Sequence, residues 1–132
     1  MDYKFSVIIP LYNVGSYLAE TINSVLGQSI GFKENIQLIL VDDGSTDDTG
    51  QTCLRFRADY PKNITYVYQD NAGVSAARNA GIPFIRGKYT NFMDGDDIWE
   101  PDAFKKVWEM FESCPEDVSV IACRMQIRRA HV

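Results

Sequence analysis

The sequence predicts an α/β fold in which a mainly parallel sheet has helices on both faces. Residues 5–10 and 36–41 are short, β-branched and nearly continuous apolar runs, which are typical of strands covered on both sides. Amphipathic segments of about 10–15 residues separate the candidate strands. Strands that alternate with helices in this way imply right-handed crossovers and parallel pairing.

The first two helices are predicted from apolar spacing and from signals at their ends. Residues 16–28 repeat apolar side chains at i, i+4, i+7 and i+8, with one face formed by Leu18, Ile22, Val25 and Leu26. The second helix is expected to begin at residues 45–48, where Ser-Thr-Asp-Asp resembles a capping box with Asp in place of Glu, and to end before Pro61. One face of that helix carries Thr49, Cys53, Phe56 and Tyr60.

Three more strands and two more helices complete the predicted fold. The candidate strands are residues 64–68, 89–93 and 118–125. A third helix is predicted from residue 75 to residue 80, and Pro83 must end or kink it near Ile82. Pro101 occupies the place of a first helical residue, and a fourth helix follows. Its apolar stripe is expected in the core and comprises Phe104, Val107, Trp108 and Phe111.

The composition indicates one globular domain over residues 1–132, because 45% of the residues are hydrophobic and 23% are charged. A net charge of −5 argues against nucleic acid as a partner, and the basic end with Arg124, Arg128 and Arg129 is expected to face water. Three cysteines without Cys-x-x-Cys spacing argue against a disulfide framework and a structural zinc site. With no signal-peptide pattern and no apolar run near the roughly 20 residues of a membrane span, the expected location is the cytoplasm.

Polar clusters follow the predicted strands at residues 10–13, 42–45, 69–73 and 94–97. Ligands of doubly wound sheets bind beyond the carboxyl ends of the strands, so these clusters mark the candidate site. Neither the Gly-x-Gly-x-x-Gly motif nor the Gly-x-x-x-x-Gly-Lys-Ser/Thr motif occurs in the chain. The sequence therefore excludes a typical dinucleotide-binding Rossmann protein and a P-loop enzyme.

Asp94, Asp96 and Asp97 lie within four consecutive positions. At separations of about 5 Å and an effective dielectric near 20, each pair would repel by roughly 3 kcal/mol, and by less than about 1 kcal/mol in full contact with water. One interpretation is a turn at the end of a strand, since Asp and Gly are turn-forming residues. The other is a site for Mg²⁺ or Mn²⁺, whose coordination sphere a diphosphate completes.

Asp43 and Arg78 also have two interpretations each. The carboxylate of Asp43 either caps the helix that follows it or, with Tyr12 at the same sheet edge, recognises an N–H of a base. Arg78, in the first turns of the third helix, either reaches a phosphate or pairs with a nearby aspartate. Ser45 has no adjacent histidine and His131 lies next to the end of the chain, so nucleophilic catalysis has no support.

Four motifs follow one another along the chain: SVIIPLYN at residues 6–13, VDDGSTD at 41–47, NAGVSAARNAGI at 71–82 and MDGDDIWEPD at 93–102. Together they resemble the ordered motifs of the family 2 inverting glycosyltransferases with a GT-A fold. The resemblance implies a three-layer, Rossmann-like GT-A fold. It also implies transfer, with inversion, from a nucleotide-diphospho-sugar, most often a UDP-sugar, to a cell-surface polysaccharide, glycolipid or related acceptor.

The resemblance assigns the first two motifs to the base of the nucleotide. By motif position, Pro10 and Tyr12 border the base. Asp43 is implied to hold the N–H of the base, and Asp42 is implied to support that loop.

The resemblance assigns the diphosphate and a metal to the later motifs. Asp96 is the implied principal ligand of Mn²⁺ or Mg²⁺, Asp94 lies by the ribose or the same metal, and Arg78 lies near the donor. Asp97 is a weaker candidate, which instead caps the segment leading to Pro101. A metal at this place neutralises the leaving nucleoside diphosphate.

The implied partners are a nucleotide-sugar donor and a glycan or lipid-linked acceptor. In the family, the carboxylate that activates the acceptor lies in a following half, so the catalytic base is expected beyond Val132 in a longer enzyme. Peripheral association with the inner face of the membrane and a homo-oligomer are open alternatives. Two other functions are a binding fragment without turnover and a Mg²⁺-dependent phosphoacceptor receiver, which requires an acidic pair where this chain has residues 10–13.

Overall fold

A computed structural model describes residues 2–115 and 127–129. Its main sheet consists of β1 (Tyr3–Leu11), β2 (Ile36–Asp43), β3 (Ile64–Gln69) and β4 (Gly87–Phe92). The strands are all parallel and lie in the order β3-β2-β1-β4. Every residue of β2 is buried, because the strand is central and helices cover both faces. The predicted parallel α/β sheet is confirmed.

Within the described residues, five α-helices connect or follow the strands: α1 (Gly15–Leu26), α2 (Phe32–Asn35), α3 (Thr49–Asp59), α4 (Val74–Gly81) and α5 (Ala103–Ser113). A short antiparallel pair is formed by β5 (Asp97–Trp99) and β6 (Ile127–Arg129). The long helices agree with the sequence predictions to within a few residues. The single-turn helix α2 and the β5–β6 pair carry no periodic apolar pattern and were not expected.

Helices pack on both faces of the sheet, as predicted. The larger core joins one face of β1 and β2 to side chains from α1, α3 and α5, among them Leu18, Ile22, Cys53 and Phe104. Each such buried aliphatic or aromatic side chain contributes about 1.5–3 kcal/mol of transfer free energy. The smaller core lies on the opposite face, where Ala77 of α4 packs with Ile8, Ile39 and Val41.

Pro83 and Pro101 have different effects on the helices of the second half of the chain. Pro83 ends α4 as predicted, because the helix stops at Gly81 and continues as a 3₁₀ turn over Ile82–Phe84. The prediction that Pro101 begins the last helix is wrong, since α5 starts at Ala103. The carbonyl of Pro101 instead accepts a hydrogen bond from the Ser29 N–H at 2.8 Å, which ties this turn to the loop after α1.

The end of the described chain contains part of the basic end. Arg128 and Arg129 belong to β6, whose backbone pairs with Ile98 and Asp97. That the basic end faces water stays a prediction, and Arg124 lies outside the described residues. The candidate strand at residues 118–125 lies outside the described residues. Among residues 2–115 and 127–129, no helix is long and apolar enough to cross a membrane.

Gly87 lets β4 lie close against β1. A Cβ at this position would stand 2.5 Å from the carbonyl carbon of Phe5 and 2.5 Å from the backbone nitrogen of Ser6. Because paired backbone cannot move aside, we expect Gly87→Ala to lower the free energy of unfolding by about 1–3 kcal/mol, measured by urea denaturation. Gly27→Ala is the control, since its Cβ would meet only the Asn23 carbonyl oxygen, at 3.3 Å. Equal losses in the two variants would contradict the prediction.

Candidate functional site

Two loops meet at the carboxyl edge of the sheet, because β1 and β2 are parallel and pair as far as Leu11 and Asp42. Asn13 joins the loops. Its backbone N–H donates to Ser45 Oγ at 2.9 Å, and its side-chain Oδ1 accepts from the Thr46 N–H at 2.8 Å. Asn13 has φ 51°, a left-handed conformation that asparagine adopts more readily than most residues.

The starts of α1 and α3 are joined in the same way. The Val14 N–H donates to Thr49 Oγ1 and the Gly15 N–H to Asp47 Oδ2, both at 3.1 Å. Asp47 also accepts from the Thr49 N–H at 2.9 Å. Burial opposes ionisation of Asp47, but the hydrogen bonds from Thr49 and Gly15 outweigh it and hold its pKa below the usual 3.8. The predicted capping role of Ser45 is wrong, because the Ser45 hydroxyl faces Asn13 instead.

Asp42 is a buried support for the loop after β2. Asp42 is only 1% exposed. Oδ1 accepts from the Ser45 N–H at 2.9 Å, and Oδ2 accepts from the Tyr66 hydroxyl at 2.7 Å. Both oxygens are thereby paired within the protein.

Asp43 is also buried, and its carboxylate holds the loop between β3 and α4. Oδ1 accepts from Gln69 Nε2 at 2.9 Å and from the Ala72 N–H at 2.8 Å. Oδ2 accepts from the Gly73 N–H at 3.0 Å and from Asn71 Nδ2 at 3.4 Å. The Gln69 bond lowers the pKa of Asp43 most, burial opposes it, and the Ala72 and Gly73 bonds bring the pKa below 3.8. Capping of α3 by Asp43 is therefore wrong.

A cleft of about 80 Å³ opens beside Asp43. The residues that line it are Pro10, Leu11, Tyr12, Asp43, Val74 and Ala77. Tyr12 is 53% exposed, so a flat ligand has access to its ring. The structure thus brings together three residues that the sequence singled out, Pro10, Tyr12 and Asp43, and Asp42 supports the adjoining loop.

The acidic cluster adjoins this cleft. Asp94, Asp96 and Asp97 each present a carboxylate oxygen, and these oxygens lie within 4.8 Å of one another. Gly95 lies so close to Leu11, which lines the cleft, that a Cβ on Gly95 would stand 2.8 Å from Leu11 Cδ2. Closely spaced carboxylate oxygens are the hard ligands that Mg²⁺ and Mn²⁺ prefer, so the residues present fit such an ion.

Arg78 connects the cleft to the acidic cluster. Its neighbour Ala77 lines the cleft, while Arg78 Nη2 lies 3.7 Å from Asp94 Oδ1. The two side chains are 41% and 50% exposed, and such a pair contributes at most about 1 kcal/mol. Arg78 Nε is buried and has no hydrogen-bond partner in the described part of the chain. The pairing with aspartate is therefore present but weak, and an incoming anion can compete for the guanidinium.

The sequence analysis placed Asn13, Gln69 and Asn71 in the polar clusters but did not predict that they hold the loops in place, and it did not single out Tyr66. Asn13, Tyr66, Gln69 and Asn71 act through hydrogen bonds to residues 24 to 34 positions away. Asn13 carried a weak signal, because asparagine is enriched at left-handed positions that follow strands. Tyr66 carried none, since a tyrosine in a strand is ordinary.

The family model described as Glycosyl transferase family 2 matches residues 6–129. The chain belongs to this family. The family 2 chain is similar to two Bacillus subtilis (strain 168) proteins named for minor teichoic acid biosynthesis. It is 44% identical to GgaB over 121 residues and 50% identical to GgaA over 109 residues. These matches cover 92% and 81% of the chain but only 13% and 24% of GgaB and GgaA.

Solved structures confirm the GT-A fold predicted for this family 2 chain. S. aureus TarS 1-349 in complex with UDP superposes with a TM-score of 0.75 at 30% identity, over 83% of this chain and 32% of that one. The mannosyltransferase PcManGT from Pyrobaculum calidifontis superposes with a TM-score of 0.76 at 23% identity, over 85% and 33% of the two chains. The family 2 chain therefore spans about a third of these structures.

The depressed pKa of Asp43 predicts how its contribution changes with pH. A carboxyl whose pKa is lower in the folded state stabilises the fold above its unfolded pKa, and that contribution disappears as pH falls through the folded value. We expect Asp43→Asn to lower the free energy of unfolding at pH 6, and the difference from the unaltered chain to shrink below pH 3.8. Urea denaturation across this range measures it.

The matched control is Asp70→Asn, an exposed carboxylate in the loop that Asp43 holds. Little change is expected at either pH, because no hydrogen bond of the described loop uses its side chain. A difference for Asp43→Asn that stays constant from pH 6 to below 3.8 would contradict the prediction.

Proposed function

We propose that this chain binds a nucleotide-diphospho-sugar and forms the donor site of an inverting glycosyltransferase that builds a cell-envelope glycan. The observation that carries the proposal is the continuity between an apolar cleft with a buried carboxylate and a cluster of three carboxylates. Leu11 lines the cleft and contacts the acidic turn at Gly95, while Arg78 lies between them. A ligand with a flat base at one end and a diphosphate at the other matches this arrangement, with the base in the cleft and the diphosphate beside Arg78 and the acidic cluster.

The cleft suits the base. The ring of Tyr12 offers a flat apolar face, and stacking of a base on an aromatic side chain is worth about 1–3 kcal/mol. Pro10 borders the same space. Asp43 has roughly four acceptor sites, and the longest of its hydrogen bonds is the 3.4 Å contact from Asn71 Nδ2. A base N–H can replace that contact without disturbing the shorter bonds from Ala72 and Gly73.

The acidic cluster suits a divalent metal that the diphosphate shares. We assign Asp96 as its principal ligand and Asp94 as the second, with Mn²⁺ or Mg²⁺ as the ion. When bound, the metal neutralises charge on the departing nucleoside diphosphate. Arg78 would exchange its weak pairing with Asp94 for a charge-assisted hydrogen bond to phosphate.

The relatives support the substrate class. TarS 1-349, 30% identical to this chain, has been crystallised with UDP, and it has also been crystallised with UDP-GlcNAc. GgaA and GgaB are named for minor teichoic acid biosynthesis. A uridine nucleotide-sugar as donor and a cell-wall polymer as acceptor are therefore the proposed substrates. The chain spans 13% of GgaB and 24% of GgaA. We assign it the donor half of the reaction.

Asp96→Ala tests the metal assignment. Loss of the principal ligand should weaken Mn²⁺-dependent binding of UDP by at least about tenfold, because the diphosphate shares the metal. The position lies in a partly exposed turn, so the fold should remain intact. Isothermal titration with UDP in the presence and absence of Mn²⁺ measures the effect. Asp59→Ala, at an exposed carboxylate at the end of α3, is the control. Full metal-dependent affinity in Asp96→Ala would refute the assignment.

Tyr12→Ala tests the base cleft. Removing the ring should weaken UDP binding by about tenfold or more, while binding of inorganic pyrophosphate with Mn²⁺ should change less than about twofold. Tyr12→Phe keeps the flat ring and should bind UDP nearly as well as the unaltered chain. The same titration measures all three proteins with both ligands. Equal losses of UDP and pyrophosphate affinity in Tyr12→Ala would show that the ring does not contact the base.

A further inference from the structure

A half-buried tyrosine in β3, Tyr66, is connected to the loop that presents Tyr12. The hydroxyl of Tyr66 donates to Asp42 Oδ2 at 2.7 Å, and the other oxygen of Asp42 accepts from the Ser45 N–H at 2.9 Å. The Ser45 hydroxyl in turn accepts from the Asn13 N–H at 2.9 Å. Four residues thus form an unbroken hydrogen-bonded series from the third strand to the residue after Tyr12.

At the Asn13 end of the series, hydrogen bonds hold the backbone in an uncommon left-handed conformation. Asn13 has φ 51°, and its side chain returns to the second loop by accepting from the Thr46 N–H at 2.8 Å and the Asp47 N–H at 3.3 Å. A left-handed residue persists when surrounding bonds determine it. Because Tyr12 directly precedes Asn13, the direction of its exposed ring follows from the conformation that Ser45 and Thr46 impose.

At the Tyr66 end of the series, the phenol oxygen is closely packed. A Cβ on Gly50, in the first turn of α3, would stand 2.8 Å from the Tyr66 hydroxyl oxygen and 3.4 Å from Asp42 Oδ2. Burial and the bond to Asp42 raise the pKa of the Tyr66 phenol far above its usual value, so the group remains a donor. Cys53 completes this packing, and burial beside Asp42 raises the pKa of its thiol to about 12.

We propose that Tyr66 is a positioning residue for the base cleft and acts through Asp42, Ser45 and Asn13 on the orientation of Tyr12. This role rests on the proposed function of the cleft and adds a residue that touches no ligand. Asp43, at the other wall of the cleft, is held separately by residues 69–73. The two walls are therefore set by different hydrogen bonds, and losing the Tyr66 bond should loosen only the Tyr12 wall.

Tyr66→Phe removes one hydroxyl and keeps the ring that packs in the core. UDP affinity in the presence of Mn²⁺ should fall about five- to tenfold, while pyrophosphate affinity with Mn²⁺ should change less than about twofold. The matched control is Tyr68→Phe, two residues along the same strand and 58% exposed, which should alter neither affinity. A merely structural role would lower the melting temperature and reduce both affinities together, and that outcome would overturn the proposal.

A second pair of variants interrupts the series at Ser45, a half-buried loop position outside the two cores, where misfolding is not expected. Ser45→Ala removes the acceptor of the Asn13 N–H, and Ser45→Thr retains a hydroxyl. Ser45→Ala should reproduce the selective loss of UDP affinity, and Ser45→Thr should restore it. If Tyr66→Phe unfolds the chain, this pair decides the question. UDP affinity unaffected by Ser45→Ala would overturn the proposal.

Amide hydrogen exchange separates failure of this proposal from failure of the donor assignment. In the nucleotide-free protein, exchange of the Ser45 and Asn13 amides should accelerate about tenfold in Tyr66→Phe and remain unchanged in Tyr68→Phe. If the unaltered chain binds neither UDP nor pyrophosphate, the donor site is refuted whatever the exchange shows. If it binds UDP but exchange of these amides is the same in Tyr66→Phe, the positioning role is refuted and the donor site stands.

Discussion

The parallel pairing of β1 with β2 brings the candidate site together. The register continues to Leu11 opposite Asp42, so the chain leaves both strands at the same edge and at the same height. The two loops that follow are then close enough for Asn13 to bond directly to Ser45 and Thr46. A shift of one residue would turn every side chain of the strand to the opposite face and separate these partners.

The alternation of side chains along β2 gives its last two carboxylates different tasks. Asp42 points toward the face of α3, where it meets Tyr66, and Asp43 points toward the face of α4, where it meets Ala72 and Gly73. An unpaired carboxylate buried at either place would be costly. Internal hydrogen bonds offset that cost and depress the pKa of Asp43, so the adjacent pair holds the loops on both sides of the strand.

The acidic cluster contrasts with these buried groups. Asp94 is exposed, and Asp96 and Asp97 are half-buried, with their oxygens within 4.8 Å of one another. Arg78, which lies beside them, forms only a weak pair with Asp94. Closely spaced carboxylates with exposed surface favour a cation. The carboxylates of Asp42 and Asp43 instead accept several hydrogen bonds within the protein. Five aspartates at this edge thus divide into two buried supports and three closely spaced carboxylates with exposed surface.

Local pattern predicted the strands of the main sheet, the four long helices and the sheet edge where the candidate site residues lie. Continuous apolar runs predicted the buried strands, i to i+4 spacing predicted α1, and Pro83 marked the end of α4, because each of these signals arises from neighbours in sequence. The motifs also identified the family and the residues around the cleft, since strand ends of a parallel sheet share an edge. The prediction that Pro101 begins α5 failed because the Pro101 carbonyl accepts a hydrogen bond from Ser29, a partner 72 positions away.

The hydrogen-bonded pairs that hold the loops were decided by the tertiary structure. Whether Asp43 would cap its own helix or hold the next loop could not be read from its neighbours, because both sets of amides are compatible with its position in the chain. In the folded chain the start of α4 packs beside the end of β2, so the N–H groups of Ala72 and Gly73 donate to the Asp43 carboxylate. Residue types and their order determined the strands, the helices and the carboxylates at one edge. Long-range packing alone determined which carboxylates became buried supports and which kept exposed surface, since burial and partner distance exist only in the folded chain.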